Sequence, residues 1–417
     1  MRRHSLAALA VTAALAALAL SAPPGNAATP TFTMVDSTVN GTELNIGVAP
    51  NGSIFVGGWD KIGRSTDDGA HWSQLSPISA VGFAADRVLV VDHDTGRVAT
   101  DDTYLGCTIL SWSDDNGASW RTNPAACGGG ATDHQKIGFG KRVTYTDPTG
   151  LLYPNLMYVC ANGLSHTDCG VSADGGTTFV TSTPHGIGCA FQGAPVTDRN
   201  GVLYEPTSQC GLHVRVTPDN GIHWADHTVP FGSVSDAPDL AVTPDGTLYL
   251  TYMDASWQPA LARSSDGGVT WDGPYSLSVP GQVSGLFPTI VAGADGRVAV
   301  SFYGTTDSAT GWDKNPGNAP ASIRWNGYIA VITDAASATP TIAAQQVTSD
   351  PLQYGCLSKL GGCLNNIADY ADIDMGPDGR VYAVFVDGCL PGCTSAAQST
   401  ADRGIVAVQT GGDDLIP

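Results

Sequence analysis

The sequence predicts an all-β fold, a β-propeller of four-stranded antiparallel blades, and three observations predict it. A Ser/Thr-x-Asp-x-Gly-x-x-Trp/Phe element recurs five times at a spacing of about 45 to 60 residues. Seven tight turns bearing glycine, each between two short β-type runs, are interleaved with it. Glycine is abundant, at 51 of 417 residues, as many short strands joined by tight turns require.

The chain opens on a targeting pattern. Arg2 and Arg3 precede an apolar stretch from Leu6 to Leu20, and Gly25 and Ala27 place a cleavage site after Ala27. The apolar stretch is short for a membrane span, and no second one follows. Residues 1–27 are therefore expected to be a signal peptide and 28–417 one exported propeller domain, soluble and monomeric. Ten cysteines, all beyond residue 27 and grouped as near neighbours, fit an oxidising compartment, although spacing leaves their connectivity open. The formal charge of −20 argues against nucleic acid and anionic membrane as partners.

The repeated element has a physical reading. It stands at Ser65-Asp67-Gly69-Trp72, Ser113-Asp115-Gly117-Trp120, Ser172-Asp174-Gly176-Phe179, Thr217-Asp219-Gly221-Trp224 and Ser264-Asp266-Gly268-Trp271. The carboxylate accepts backbone amides of a tight turn, the hydroxyl supports it, glycine supplies a positive φ, and the aromatic ring returns to the sheet. The glycine turns stand at Gly52, Gly96, Gly150, Gly201, Gly246, Gly296 and Gly379. Each unit thus reads strand, glycine turn, strand, loop, strand, Asp turn, strand, which is a propeller blade. Seven turns predict seven blades, with six as the alternative. The last blade is a strand short near 404–410, and the N-terminal run 31–36 is expected to supply that strand.

These repeats resemble the Asp-boxes of the sialidase-like superfamily, from Ser65 to Trp271. The resemblance implies that the Asp residues of the boxes are structural and that any ligand site lies on the opposite face, around the central axis. It further implies a glycoside hydrolase acting on extracellular glycans. The Phe/Tyr-Arg-Ile-Pro motif of sialidases is missing, however, and only Arg142, Arg215 and Arg324 remain as candidates for a carboxylate-binding triad. The alternative is a non-catalytic propeller that binds glycans or proteins on the same face.

If both turn types share one face, the loops between second and third strands and the inter-blade crossings lie on the other. The candidates there are Glu205, Tyr370 and Asp133 for catalysis. Candidates for substrate binding are His134, Gln135, Asp236, Asp239, Trp257, Tyr303, Trp312, Arg324, Asp369 and Asp372. Glu205 is singled out because it is one of only two glutamates, the other being Glu43, and turn chemistry does not explain it. Tyr303 or Tyr370 is a possible nucleophile beside a carboxylate, and Trp257 and Trp312 are rings for sugar stacking. No cofactor or catalytic metal is expected, since the histidines form no ligand pattern; incidental Ca²⁺ in the Asp-rich loops is the one allowance.

Overall fold

The computed structural model describes residues 28–59, 61–76, 85–104, 107–126, 133–143, 147, 150, 152–162, 167–182, 192–234, 236–357, 363, 371–390, 392–398 and 401–417. It is a β-propeller of seven antiparallel blades. Blade 1 runs from Asn45–Val48 to Ser73–Leu75, blade 2 from Ala85–Val91 to Arg121–Ala126, and blade 3 from Asp133–Gly140 to Val180–Ser182. Blade 4 runs from Val196–Thr197 to Ala225–Thr228, blade 5 from Asp239–Val242 to Asp272–Ser276, and blade 6 from Ser284–Ala292 to Gln345–Gln346. Blade 6 also carries an extra strand, Gln353–Tyr354, paired to the start of its third strand, Arg324–Ile332.

Blade 7 is built from both ends of the chain. Its first three strands are Asp372–Met375, Val381–Asp387 and Arg403–Gly411, and its outermost is the N-terminal strand Thr31–Asn40. The latter pairs antiparallel with Arg403–Gly411, from Phe32 opposite Gln409 to Asp36 opposite Ile405. The expected closing strand is therefore present, and the blade number is seven. Blade 7 lacks an Asp turn because no covalent connection joins its third and fourth strands. In blade 6 a longer connection replaces the turn, with the Asp334 carboxylate accepting the Thr341 amide and hydroxyl.

In the five repeated turns the hydroxyl, carboxylate and glycine-amide hydrogen bonds are the same, whereas the ring N–H bond to the glycine carbonyl is made by Trp72, Trp120 and Trp271. Ser264 Oγ donates to Asp266 Oδ1 at 2.8 Å and accepts the Gly268 amide at 2.9 Å, while the Thr270 amide reaches Asp266 Oδ1 at 2.9 Å. Trp271 Nε1 then donates to the Gly268 carbonyl at 2.9 Å. Gly268 has a φ of +88°, which a side chain would resist. Ser65, Ser113, Ser172 and Thr217 repeat the hydroxyl contacts. The Thr270 hydroxyl and amide hold the Asp266 carboxyl down at about 2.

Between blades the core is a circuit of apolar seams. Phe55 and Leu89 share one, Leu110 and Met157 the next, then Tyr158 and Leu203, Val214 and Leu250, and Tyr249 and Phe302. The largest seam joins blades 6, 7 and 1 through Tyr303, Trp325, Phe385 and Ile46. Each sheet thus buries both faces against its neighbours, which is why the second and third strands read as near-continuous apolar runs.

Ser264→Ala is expected to lower stability by roughly 1–2 kcal/mol, because the buried Gly268 amide loses its acceptor. Urea unfolding monitored by tryptophan fluorescence checks this; an unchanged midpoint would show that the turn is not coupled to the blade.

Candidate functional site

The first–second strand turns and the Asp turns lie on one face, because antiparallel strands alternate in direction. All seven inner strands therefore start at the opposite face and line the axis. Between them runs a channel of about 310 Å³, walled by Ile46, Val88, Leu240, Phe287, Ile290 and Ile373 among others. Its polar side chains include Asn45, His93, Lys136, Asp239, Asp372 and Asp374.

Asp239 and Asp372 each begin an inner strand, so they stand toward the face opposite the Asp turns. Each reaches sideways to the next blade. Asp239 Oδ2 accepts the Ile290 amide at 2.9 Å, and Asp372 Oδ2 accepts the Ile46 amide at 3.0 Å. Asn45 Oδ1 makes the same contact to the Leu89 amide at 3.0 Å. Burial pushes the Asp239 carboxyl up to about 6, against the Ile290 and Leu240 amides and the Lys136 ammonium. Burial likewise drives Asp372 upward; Asp239 and Asp374 add to this, and the Ile46 amide and Lys136 oppose it.

Lys136 is the counter-charge of the group, and sequence reasoning did not select it, although its neighbours His134 and Gln135 were chosen. The inner strand of blade 3 has a register shift between Asp133 and Lys136, with His134 at a φ of +52°. The inner strand of blade 6 is bulged alike, at Phe287 with a φ of +51°. Such bulges re-aim side chains at a barrel or propeller rim. A lysine in an otherwise β-type inner strand was the available signal.

Behind Lys136, Gln135 is fully buried and its side chain bonds Asp101. Burial, then Asp102, pushes the Asp101 carboxyl well above the usual carboxylate range. His134 is buried, with its carbonyl accepting Gln192 Nε2 at 2.7 Å. At the other end of the channel His93 Nε2 lies 3.2 Å from Asp374 Oδ2, and that carboxylate raises the imidazole to about 9.

Other predicted residues lie away from this group. Glu205 is fully buried between strands, opposite Arg215 in register and 3.2 Å from its Nη1. Its carboxyl, raised by burial, stands within 4.8 Å of Cys160 and Cys169, whose sulfurs are joined in a disulfide and do not form a metal site with it. Tyr303 is also sealed, its hydroxyl accepting the Val386 amide at 2.7 Å. Neither residue reaches the channel, so the placement departs from the expected loop positions because both point into inter-blade seams. Asp236 accepts the Ala237 amide at 3.0 Å in the blade 4–5 crossing. Trp257 and Trp312 are half-buried against the seam of blades 6, 7 and 1, and Trp312 meets Trp325 edge to face. The side chain of Asp133, and all of Asp369 and Tyr370, lie outside the described residues.

The arginine triad does not converge. Arg142 donates to the carbonyls of Pro154 and Ala173, Arg215 is paired with Glu205, and Arg324 is paired with Asp307 in blade 6. Most other arginines clip neighbouring blades together: Arg64 to the Asn116 carbonyl, Arg87 to that of Gly58, Arg97 to that of Gly175, and Arg380 to Asp68.

Three of the disulfides expected from near-neighbour spacing are formed, Cys160–Cys169, Cys356–Cys363 and Cys389–Cys393. They point to an oxidising environment. Among the described residues no helix is long and apolar enough to cross a membrane.

No family model matches the chain, and no curated protein does. Solved structures share its fold. YCF48 bound to D1 peptide superposes with a TM-score of 0.53 at 12% identity, covering 96% of this chain and 100% of that one. The RRP9 WD40 repeats give 0.54 at 11% identity, covering 91% and 99%. The intramolecular trans-sialidase from Ruminococcus gnavus gives 0.44 at 14% identity, covering 89% and 95%. At these identities the likeness is to the propeller and not to an activity.

Glu205→Gln is expected to cost roughly 3 kcal/mol of stability, because it breaks a buried charge pair, and to leave ligand binding in the channel unchanged. Denaturant unfolding with calorimetric titration checks both; a selective loss of binding at full stability would return Glu205 to the site.

The native state keeps the Asp239 proton up to about 6, whereas the unfolded chain releases it near 3.8. Its contribution to stability is thus full below the lower value and is lost as pH rises through the upper. Asp239→Asn keeps an acceptor for the Ile290 amide and should flatten this part of the stability profile. Thermal unfolding of both proteins across that pH interval checks it; parallel profiles would remove Asp239 as the titrating group.

Proposed function

We propose that this chain is an exported propeller that binds a saccharide in its axial channel, on the face opposite the Asp turns. The observation that carries the reading is the grouping of Lys136, Asp239 and Asp372 in a channel of small-molecule size whose walls are mixed apolar and polar. A sugar presents hydroxyls at its edge and C–H groups on its faces. The carboxyls accept from the hydroxyls, the ammonium donates to them, and Ile46, Leu240, Phe287 and Ile290 meet the ring. Lys136 and the His93 imidazolium are set against Asp239, Asp372 and Asp374, of which burial drives Asp372 toward its neutral form. The channel thus has no net positive charge to hold a carboxylate and favours a neutral or amino sugar over a carboxylated one. The resemblance of the five Asp turns to Asp-boxes supports a glycan as ligand class, and the targeting pattern with the disulfides supports export.

A second reading, a glycoside hydrolase, has one observation in its favour. Asp372 is driven further toward its neutral form than Asp239, and two carboxyls of unlike protonation are the acid and base that glycoside cleavage uses. The binding reading stands first because both carboxyls already accept backbone amides and the arginines are engaged elsewhere.

Calorimetric titration of the mature protein with neutral, amino and carboxylated monosaccharides and their oligomers tests this. Saturable binding of neutral or amino sugars is expected, with Lys136→Met weakening it by about tenfold, the loss of one charge-assisted hydrogen bond. Release of free sugar from glycosides, abolished by Asp372→Asn, would replace binding with hydrolysis. Binding of sialic acid in preference to neutral sugars would overturn the charge argument.

A further inference from the structure

Blade 6 departs from the other blades at its outer edge. Its fourth strand leaves the sheet after Gln346, and the chain rejoins the third strand at Gln353–Tyr354. Backbone hydrogen bonds flank the excursion, from the Val347 amide to the Gly327 carbonyl and from the Leu352 amide to the Trp325 carbonyl. Under the excursion lies a separate cavity of about 170 Å³, lined by Thr306, Asp307, Arg324, Asn326, Gln346 and Ser349 with Pro351 at its rim. It opens on the loop between second and third strands, hence on the same face as Lys136, Asp239 and Asp372.

The lining is almost wholly polar, and part of it is already committed. Arg324 Nε and Nη2 donate to the two oxygens of Asp307 at 2.8 and 2.7 Å, and Asp307 Oδ2 also accepts the Arg324 amide at 2.9 Å. Gln346 accepts from the Tyr328 hydroxyl and donates to the Thr348 carbonyl, and Asn326 Oδ1 accepts from the Thr348 hydroxyl. These bonds orient the groups and leave others over. Arg324 Nη1, Asn326 Nδ2 and the Thr306 hydroxyl have no hydrogen-bond partner among the described residues. The carboxylate neutralises the guanidinium, and together they form a flat array that accepts and donates without net charge.

We propose that this cavity is a second saccharide subsite, specific for a neutral sugar residue and independent of the axial channel. Apolar burial does not drive binding here, because hardly any apolar wall is present; the ligand must be rich in hydroxyls. An anionic ligand is disfavoured, because Asp307 already satisfies the charge of Arg324. The size admits one sugar ring, so a glycan longer than the channel's occupant has a further place to bind on the same face. This departs from the carboxylate-clamp role that the triad expectation gave to Arg324.

The test uses the mature protein and methyl glycosides of neutral hexoses, with N-acetylneuraminic acid as the charged probe, followed by saturation-transfer NMR and calorimetry. Ser349→Trp places a ring in the cavity from an exposed position, and Arg324→Met removes an exposed head group. Thermal unfolding confirms that each variant is folded; Thr306→Trp, also at an exposed position, replaces any that is not. Lys136→Met, in which channel binding is weakened about tenfold, is expected to retain saturable binding of a neutral glycoside at millimolar concentration in the cavity. Ser349→Trp or Arg324→Met added to it should abolish that binding or weaken it about tenfold. Three results each overturn the proposal: no neutral glycoside binds Lys136→Met, the cavity variants bind undiminished, or N-acetylneuraminic acid outcompetes the neutral sugars there. Failure of the channel reading is read separately, from a Lys136→Met isotherm that matches wild type in both affinity and number of sites.

Discussion

The structure depends on one closure. A four-stranded blade is open at both lateral faces, so seven of them are stable only when the last packs on the first. Here the last blade takes its outermost strand, Thr31–Asn40, from the start of the chain. The pairing with Arg403–Gly411 ties the two ends of the sequence together, and the Ser37 hydroxyl adds a bond to the Gly404 carbonyl at 2.7 Å. With the ring closed, the seam of blades 6, 7 and 1 becomes the largest apolar cluster of the molecule. The axial channel exists only because the ring is complete: Asp372 and Ile46, which meet across the closure, belong to opposite ends of the chain.

The same demand for closure explains where the polar side chains go. Blades that meet edge-on at the axis leave inner-strand amides to be satisfied, and Asn45, Asp239, Asp372 and Asp374 accept those of the next blade. At the wider radius arginines do similar work on carbonyls. Arg97 donates to Gly175, pairs with Asp114 and stacks over Tyr153, its guanidinium carbon 3.7 Å from the ring centre. This use of arginine is hard to reconcile with a clamp on a carboxylated substrate. In the proposed sites what remains is carboxyl, ammonium and imidazole chemistry in the channel, and amide groups with the Arg324–Asp307 pair in the cavity of blade 6.

Burial gives the channel its electrostatic character. Asp239 and Asp372 keep the same backbone contacts whichever way they are read, yet removal from water raises both carboxyls and Lys136 moderates the effect. The interior is therefore less anionic than the surface of a chain carrying −20, which under the proposed reading gives hydrogen bonding as much weight as charge in the choice of ligand.

The sequence by itself determined the architecture. Turn chemistry is local: Ser264, Asp266, Gly268 and Trp271 complete their bonds within eight residues, so the repeat shows in the sequence as it does in space. The missing strand near 404–410 could be matched to 31–36 because strand count is also a local property. The site was decided only in the tertiary structure, because it is assembled across blades that are far apart in sequence. Asp239 and Asp372 were legible as crossings on the working face, but Lys136 gained its place from a bulge and two distant carboxyls. Glu205 is the converse: rare in composition and expected in a loop, it lies mid-strand in Leu203–Thr207, turned by register toward Arg215 and sealed between blades. Rarity is a property of the sequence, whereas exposure depends on what the ring brings alongside.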